Sequence, residues 1–134
     1  MRGDVKVKPI HTDYSKQQGA HYVPAMEHNG VLYISGQLSK DPKTGTIPTG
    51  GIKAEAEQAL ANLELVLKAR GLQREDVIFC RVYTPDVAYW DEINAVYAQF
   101  FGDHKPARAI VPTNALHFGC LVEIEAMAAI GEGK

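Results

Sequence analysis

The sequence predicts a single α+β domain, in which two helices pack on one face of a mixed sheet. Its 134 residues, 46% hydrophobic and 22% charged, have the composition of an ordinary globular domain with a real core. Two segments repeat apolar residues at helical spacing, and short strand-like runs lie around them. Because no repeat, low-complexity tract or linker divides the chain, we expect one domain over residues 1–134.

Strand signals come first along the chain. Residues 5–8 could form a short edge strand, and residues 22–27 and 31–38 are strand-like runs joined by His28-Asn29-Gly30. Asn-Gly between two such runs is a strong signal for a two-residue hairpin.

Two helices follow. The first has one apolar stripe, with Gly71 placed to cap its end; the stripe is Ile52, Ala56, Ala59, Leu60, Leu63, Val66 and Leu67. The second is predicted over residues 87–101 and closed by Gly102; its inner face is Ile93, Val96, Tyr97, Phe100 and Phe101. Strands are predicted over 77–83, 107–113 and 119–130, which gives the order β-β-β-α-β-α-β-β.

The strands also predict an oligomer. The runs over residues 31–34 and 77–80 are continuously apolar, which is typical of a sheet buried on both faces. Two helices cover only one face, so we expect other copies of the chain to cover the second.

Charge and cysteine content narrow the class of protein. A net charge of −2 and a pI of about 6.2 argue against a general affinity for nucleic acid. Cys80 and Cys120 form no motif and have apolar neighbours, so we expect reduced, buried thiols. The N-terminus has no signal-peptide pattern, and no apolar run reaches the ~20 residues that span a bilayer. These features predict a cytoplasmic protein without a membrane partner.

Arg108 and Glu123 are the main candidate site residues. Arg108 lies within an apolar strand, where a guanidinium needs a partner. If the last two strands form a hairpin centred between Ala115 and Leu116, Arg108 lies opposite Glu123. The pair is then either a surface salt bridge worth roughly 0–1 kcal/mol or a site that binds a carboxylate and moves protons. Glu125 shares the strand face of Glu123, so the pattern leaves the choice of carboxylate open.

Other side chains give weaker signals. The five histidines lack metal-ligand spacing, so no metal site is predicted. Ser35 does not sit in a nucleophile elbow and is interpreted as a strand-end hydroxyl. Gly50-Gly51 lacks the lysine of a phosphate-binding loop.

Four motifs resemble the Rid family, also called YjgF or reactive intermediate deaminases, over nearly the whole chain. They are Ile34-Ser35-Gly36-Gln37, Pro42-Lys43-Thr44-Gly45, Pro106-Ala107-Arg108 and Glu123-Ile124-Glu125-Ala126. The resemblance implies a chorismate-mutase-like (YjgF-type) α+β fold and a homotrimer with clefts between subunits. It also implies hydrolysis of small 2-imino and 2-enamino acids, such as 2-iminopropanoate and 2-aminoacrylate, to 2-oxo acids and ammonia without a cofactor.

The resemblance also implies roles for single residues. Arg108 matches the arginine that holds the substrate carboxylate, and Glu123 the glutamate that positions water. Pocket positions are matched by Tyr22, Ser35, Gly36 and Asn94. Ile110 stands where the family often has a cysteine, and Pro24 where glutamine is usual.

Two alternatives remain beside the deaminase. One is a non-catalytic trimer that binds a carboxylate metabolite and regulates a partner. The other is the endoribonuclease or translation-inhibitor role named for some family members, against which the acidic charge balance counts.

Overall fold

A computed structural model describes residues 3–15 and 19–134 of the chain. Within those ranges it contains strands and helices in the predicted order: β1 Lys8–Ile10, β2 Ala25–His28, β3 Val31–Leu38, α1 Gly51–Ala69, β4 Val77–Thr84, α2 Trp90–Phe101, β5 Ala107–Pro112 and β6 Glu123–Ala129. Short 3₁₀ turns precede β4 at Arg74–Asp76, α2 at Val87–Tyr89 and β6 at His117–Gly119. The α+β class with a mixed sheet and two helices is confirmed.

The strands form one mixed sheet in the order β1-β2-β3-β6-β4-β5. β6 is antiparallel to β3 and to β4, whereas β5 at the edge runs parallel to β4. The predicted hairpin of the last two strands is therefore wrong, because β4 lies between them. β4, α2 and β5 form a strand–helix–strand unit, and such a crossover joins parallel strands.

The hairpin between β2 and β3 is confirmed. His28 pairs with Val31, which leaves a two-residue loop. Asn29 and Gly30 both have positive φ, 50° and 74°, as a type I′ turn requires. This turn fixes the register in which Ile34 faces the core.

Both helices pack on the same core. Every residue of the predicted stripe of α1 is buried, and Gly71 has the positive φ of a residue just past a helix end. On α2 the predicted inner face is also buried, except for Phe100, which packs against the core from its margin. Alternate residues of the central strands complete this core, among them Leu32, Val82 and Ile124.

The face of the sheet opposite the helices carries exposed apolar side chains in the described structure. Tyr33 and Ile78 from the continuous apolar runs are both 46% exposed there. Within the described part of the chain these side chains are therefore not buried, and the oligomer predicted from burial on both faces stays a prediction.

Several predicted boundaries were wrong. The first strand lies at Lys8–Ile10 instead of residues 5–8, and the second begins at Ala25, after Pro24. Proline has no N–H to donate to a strand ladder. The last strand begins at Glu123 instead of residue 119. Gly119 has a positive φ, and the N–H of Leu121 donates to the carboxylate of Glu55 on α1 instead of to a neighbouring strand. The first residues predicted for α2 form the 3₁₀ turn Val87–Tyr89.

Both cysteines are free thiols and both are buried, as predicted. Among the described residues, neither helix combines the length and the apolar character that crossing a bilayer demands.

Candidate functional site

Arg108 lies on the helix side of the edge strand β5. It pairs in register with Cys80 of β4, which is fully buried beneath the helices. From α2, Asn94 accepts a hydrogen bond through Oδ1 from Nη1 of Arg108 at 2.7 Å. The neutral amide fixes one edge of the guanidinium and does not neutralise its charge.

Two aromatic rings of α2 lie beside the same guanidinium. Its central carbon is 5.3 Å from the ring centroid of Trp90 and 4.9 Å from that of Tyr97. Residues 90, 94 and 97 share one face of a helix, so one stripe of α2 supports Arg108. We call these four residues the Arg108 cluster. Within the described part of the chain, no carboxylate forms an ion pair with Arg108.

Cys80, behind the Arg108 cluster, is part of the core. Burial raises the pKa of its thiol to about 11, so the sulfur stays protonated and a poor nucleophile at neutral pH. This agrees with its interpretation as a core residue.

Glu123 opens β6 on the other face of the sheet, between Leu38 of β3 and Tyr83 of β4. Its carboxylate lies directly over Gly36. A Cβ at residue 36 would overlap the Oε2 atom of Glu123, so glycine is what admits the carboxylate there. The β3–β6 register shifts between Ile34 and Gln37, and this β-bulge sets the backbone of Gly36 under the glutamate.

The two carboxylates of β6 have different surroundings. Glu125 forms an ion pair with Nη1 of Arg81 at 3.3 Å and accepts a short hydrogen bond from the hydroxyl of Tyr83. Burial, and secondarily the charge of Glu125, raise the pKa of Glu123, while His117 opposes the shift. Because Glu125 is already paired and the pKa of Glu123 is raised, Glu123 is the better candidate for a proton acceptor.

A cavity of about 830 Å³ opens beside Glu123, and we call it the Glu123 cavity. Four residues predicted for the site line it: Tyr22, Ser35, Gly36 and Glu123. Ser35 lies in the middle of β3, so its interpretation as a strand-end hydroxyl is wrong. Its hydroxyl donates to the carbonyl of Val23 at 2.6 Å, which joins β3 to the segment before β2.

Arg108, Asn94 and Ile110 do not line this cavity. Arg108 shares the face of Cys80, and Cys80 pairs with Ala126. Glu123 is three residues from Ala126, and alternate strand residues point to opposite faces, so Arg108 and Glu123 lie on opposite sides of the sheet. The predicted direct opposition of these two residues is wrong.

Ile110 pairs with Val82 and packs against the margin of the core. It lies two residues from Arg108, on the same face of β5. One chain therefore holds two separate groups of predicted site residues.

Sequence reasoning missed several neighbours of these groups. Trp90 was not considered, and Tyr97 was assigned only to the core, although their spacing with Asn94 was a usable signal. Lys40, His117 and Phe118 also line the Glu123 cavity. No local pattern marked them. Among the described residues, no three potential metal ligands cluster.

Comparison with known families gives one match. The model of the family described as Endoribonuclease L-PSP matches residues 15–130.

Known relatives share most of the chain. It is 40% identical over 119 residues to RutC family protein PH0854 of Pyrococcus horikoshii, covering 89% of this chain and 94% of that protein. It is 38% identical over 110 residues to human 2-iminobutanoate/2-iminopropanoate deaminase, covering 82% of this chain and 80% of the human protein. The crystal structure of E. coli TdcF with bound serine superposes with a TM-score of 0.85 at 31% identity, covering 92% of this chain and 99% of that one.

Proposed function

The chain belongs to the YjgF/RutC/Rid family, and from this premise we propose that it hydrolyses small 2-imino and 2-enamino acids to 2-oxo acids and ammonia. We further propose that each site is formed by two copies of the chain, with Arg108 from one and Glu123 from the other. The observation that carries this proposal is the separation of Arg108 and Glu123 on opposite faces of one sheet.

The unpaired charges support a role in binding and proton transfer. Arg108 keeps hydrogen-bond donors beyond the one that Asn94 takes, and a bidentate carboxylate matches a guanidinium edge. The raised pKa of Glu123 suits a proton acceptor that works near neutral pH. Among the described residues, neither Arg108 nor Glu123 forms an ion pair.

The chemistry needs only these two groups and water. Arg108 holds the carboxylate of a 2-imino acid, which orients the adjacent C=N carbon toward a water hydrogen-bonded to Glu123. The water oxygen bonds to that carbon while Glu123 accepts a proton from the water and passes it to the imine nitrogen, which gives a carbinolamine. Glu123 then transfers the hydroxyl proton to the nitrogen as the C=O bond forms and the C–N bond breaks, and a 2-oxo acid and ammonia leave. Positioning and proton transfer account for the acceleration.

A cyclic homotrimer would unite the two groups. In a ring, the surface with Arg108 on one copy meets a different surface with Glu123 on the next, and three equivalent sites result. The exposed apolar side chains Tyr33 and Ile78 on the open sheet face provide surface for such contacts.

Two relatives support this activity, whereas the description of the matching family model names an endoribonuclease. The human relative is named for the deamination of 2-iminobutanoate and 2-iminopropanoate, and TdcF binds serine, a small molecule with a carboxylate. The net charge of −2 weighs against an RNA substrate, because phosphate contacts require an excess of cations.

Subunit mixing tests the proposal. Arg108→Ala and Glu123→Gln should each abolish ammonia release from 2-iminopropanoate generated in situ. When the two variants are co-assembled in equal amounts from the denatured state, each shared site takes both native residues with a chance of about one in four. We therefore expect roughly a quarter of the native rate per subunit to return.

Two results would contradict the proposal. A mixture that stays inactive although mass measurement shows mixed oligomers would mean that the two residues do not share a site across the interface. Native protein that binds 2-oxo acids without accelerating imine hydrolysis would favour the regulatory, non-catalytic alternative.

A further inference from the structure

We propose that the Glu123 cavity receives a bulky apolar side chain, so that the preferred substrates are imino acids with branched or aromatic side chains, and that Phe118 determines this preference. The inference rests on the proposed deaminase function and specifies its substrate class. It follows from three observations on the lining of the cavity.

The first observation is exposed carbon surface. Tyr22 is 56% exposed, Phe118 57% and Leu65 39%, and all three line the Glu123 cavity. Pro24 and Pro42 add further apolar surface. A single exposed apolar side chain is common on a protein surface and indicates nothing. Several large ones exposed together around one concavity indicate a binding surface. They provide contacts for a substrate side chain.

The second observation is the backbone of Phe118. Its φ of 61° lies in the left-handed region, and among described residues other than glycine only Asn29 shares this feature. Both residues are in tight turns: Phe118 and Gly119 are the central residues of a turn in which the N–H of Cys120 donates to the carbonyl of His117, as Asn29 and Gly30 are in the β2–β3 hairpin. Asparagine tolerates this backbone conformation, whereas phenylalanine adopts it rarely. A bulky residue in this conformation costs free energy, and residues of this kind cluster at functional sites.

The ring of Phe118 is also held in place. The ammonium of Lys40 lies 3.7 Å from its centroid, and the imidazole of His117 lies 3.6 Å away on centroids. The ring is thus a fixed wall in spite of its exposure. Because Lys40 is occupied by the aromatic face and Asp41 lines the same cavity, the surface favours an apolar side chain over an acidic one.

The third observation is size. A volume of about 830 Å³ lies in the range of pockets for drug-sized ligands. This volume is that of one chain, and in the proposed site a second copy closes its mouth. A methyl side chain held at the α-carbon beside Glu123 would fill only a small part of the space measured in one chain. A branched or aromatic side chain would displace water from Phe118 and Leu65.

Substrate comparison tests the inference. Imines are generated in situ by an amino-acid oxidase from alanine, leucine, phenylalanine and glutamate, and kcat/KM is measured for native protein. We expect the leucine- and phenylalanine-derived imines to exceed the alanine-derived one by roughly tenfold or more, since each buried methylene contributes a severalfold factor. In Phe118→Ala that ratio should fall by about tenfold, and in Leu65→Ala by less.

The controls separate specificity from folding. Val5→Ala removes an exposed apolar side chain that does not line the cavity, so it should leave the ratio unchanged. Leu65→Ala keeps a good helix former in α1, so it tests the cavity even if Phe118→Ala folds poorly.

Other outcomes would overturn the inference. An equal loss on all substrates in both variants, or a preference for the glutamate-derived imine, would contradict an apolar cavity while leaving the deaminase function intact. No turnover of any imine by native protein would instead contradict the deaminase function itself, and this inference with it.

Discussion

Arginine and glutamate occur in two contrasting arrangements in this molecule. At the corner between α1 and the 3₁₀ turn before β4, Arg74 donates to both carboxylate oxygens of Glu64 at 2.7 and 3.0 Å. It also donates to the carbonyl of Phe100 and lies over that ring at 3.9 Å. Arg108 also lies near aromatic rings of α2, but its hydrogen-bond partner is the neutral amide of Asn94. Glu123, the glutamate assigned to the same site, lies on the opposite face of the sheet.

The difference shows what each arrangement is for. Arg74 lowers the pKa of Glu64 by a direct hydrogen bond, as a pair that stabilises the fold does. Glu123 has its pKa raised by burial and by Glu125. A structural pair satisfies its charges internally, whereas Arg108 and Glu123 retain binding and proton-accepting capacity for groups outside the chain.

The largest expected effect comes from Arg108→Ala. Losing two charge-assisted hydrogen bonds to a substrate carboxylate should lower kcat/KM for imine hydrolysis by about 10²–10⁴. The melting temperature should change little, because within the described residues no carboxylate loses an ion-pair partner. Arg74→Ala serves as the matched control and should retain the native rate. Equal rates in Arg108→Ala and Arg74→Ala would contradict a substrate-binding role for Arg108.

Gly36→Ala should have the next largest effect. The new methyl group would overlap the carboxylate of Glu123, whose flexible side chain would move aside. Since a displacement of about 1 Å at a catalytic group can cost ~10²-fold, we expect a loss of that order in kcat with a near-native melting temperature. Gly131→Ala, where nothing lies near the added Cβ, is the control. Full activity in Gly36→Ala would contradict a role for Glu123 in the reaction.

Glu125→Gln should shift the pH dependence. Glu123 must be deprotonated to accept a proton, so its raised pKa places the acidic limb of kcat/KM above pH 4.5. Removing the charge of Glu125 lowers that pKa, and the limb should move to lower pH. Glu64→Gln, whose carboxylate is paired with Arg74, should leave the limb in place. A shift to higher pH would contradict the assignment.

The smallest effect is on stability. Arg74→Ala should lower the free energy of unfolding by about 1–2 kcal/mol, because a partly exposed bidentate pair is lost. The folded-state pKa of Glu64 is lowered, so this contribution is present above the unfolded value near 4.5 and is lost as pH falls through the folded value. The melting temperatures of the native protein and of Arg74→Ala should therefore become equal at acidic pH. A difference that persists there would assign the effect to packing on Phe100.

Local signals in the sequence predicted most of the fold. Asn29-Gly30 specified its turn because both residues tolerate positive φ, and the stripe of α1 specified its buried face because helical spacing is a property of the segment alone. The pairing of β5 and β6 failed because strand partners are chosen by the whole sheet. The order β4, α2, β5 did contain the correct signal, that of a parallel crossover unit.

The site was predicted in its parts and not in its arrangement. Family motifs marked Gly36 and Glu123, which the structure brings into contact, and Asn94 and Arg108, which it joins by a hydrogen bond. That these pairs lie on opposite faces depends on sheet order, which no motif encodes. Phe118 carried no sequence signal, because its left-handed backbone becomes visible only in three dimensions.

Trp90 gives the Arg108 cluster a spectroscopic consequence. It is the single tryptophan of the chain, and its ring centroid lies 5.3 Å from the guanidinium carbon of Arg108. The tryptophan fluorescence of the unlabelled protein, excited where tyrosine does not absorb, therefore originates beside the candidate carboxylate-binding group. A titration with a 2-oxo acid can be followed optically at that position, without a dye and without catalytic turnover.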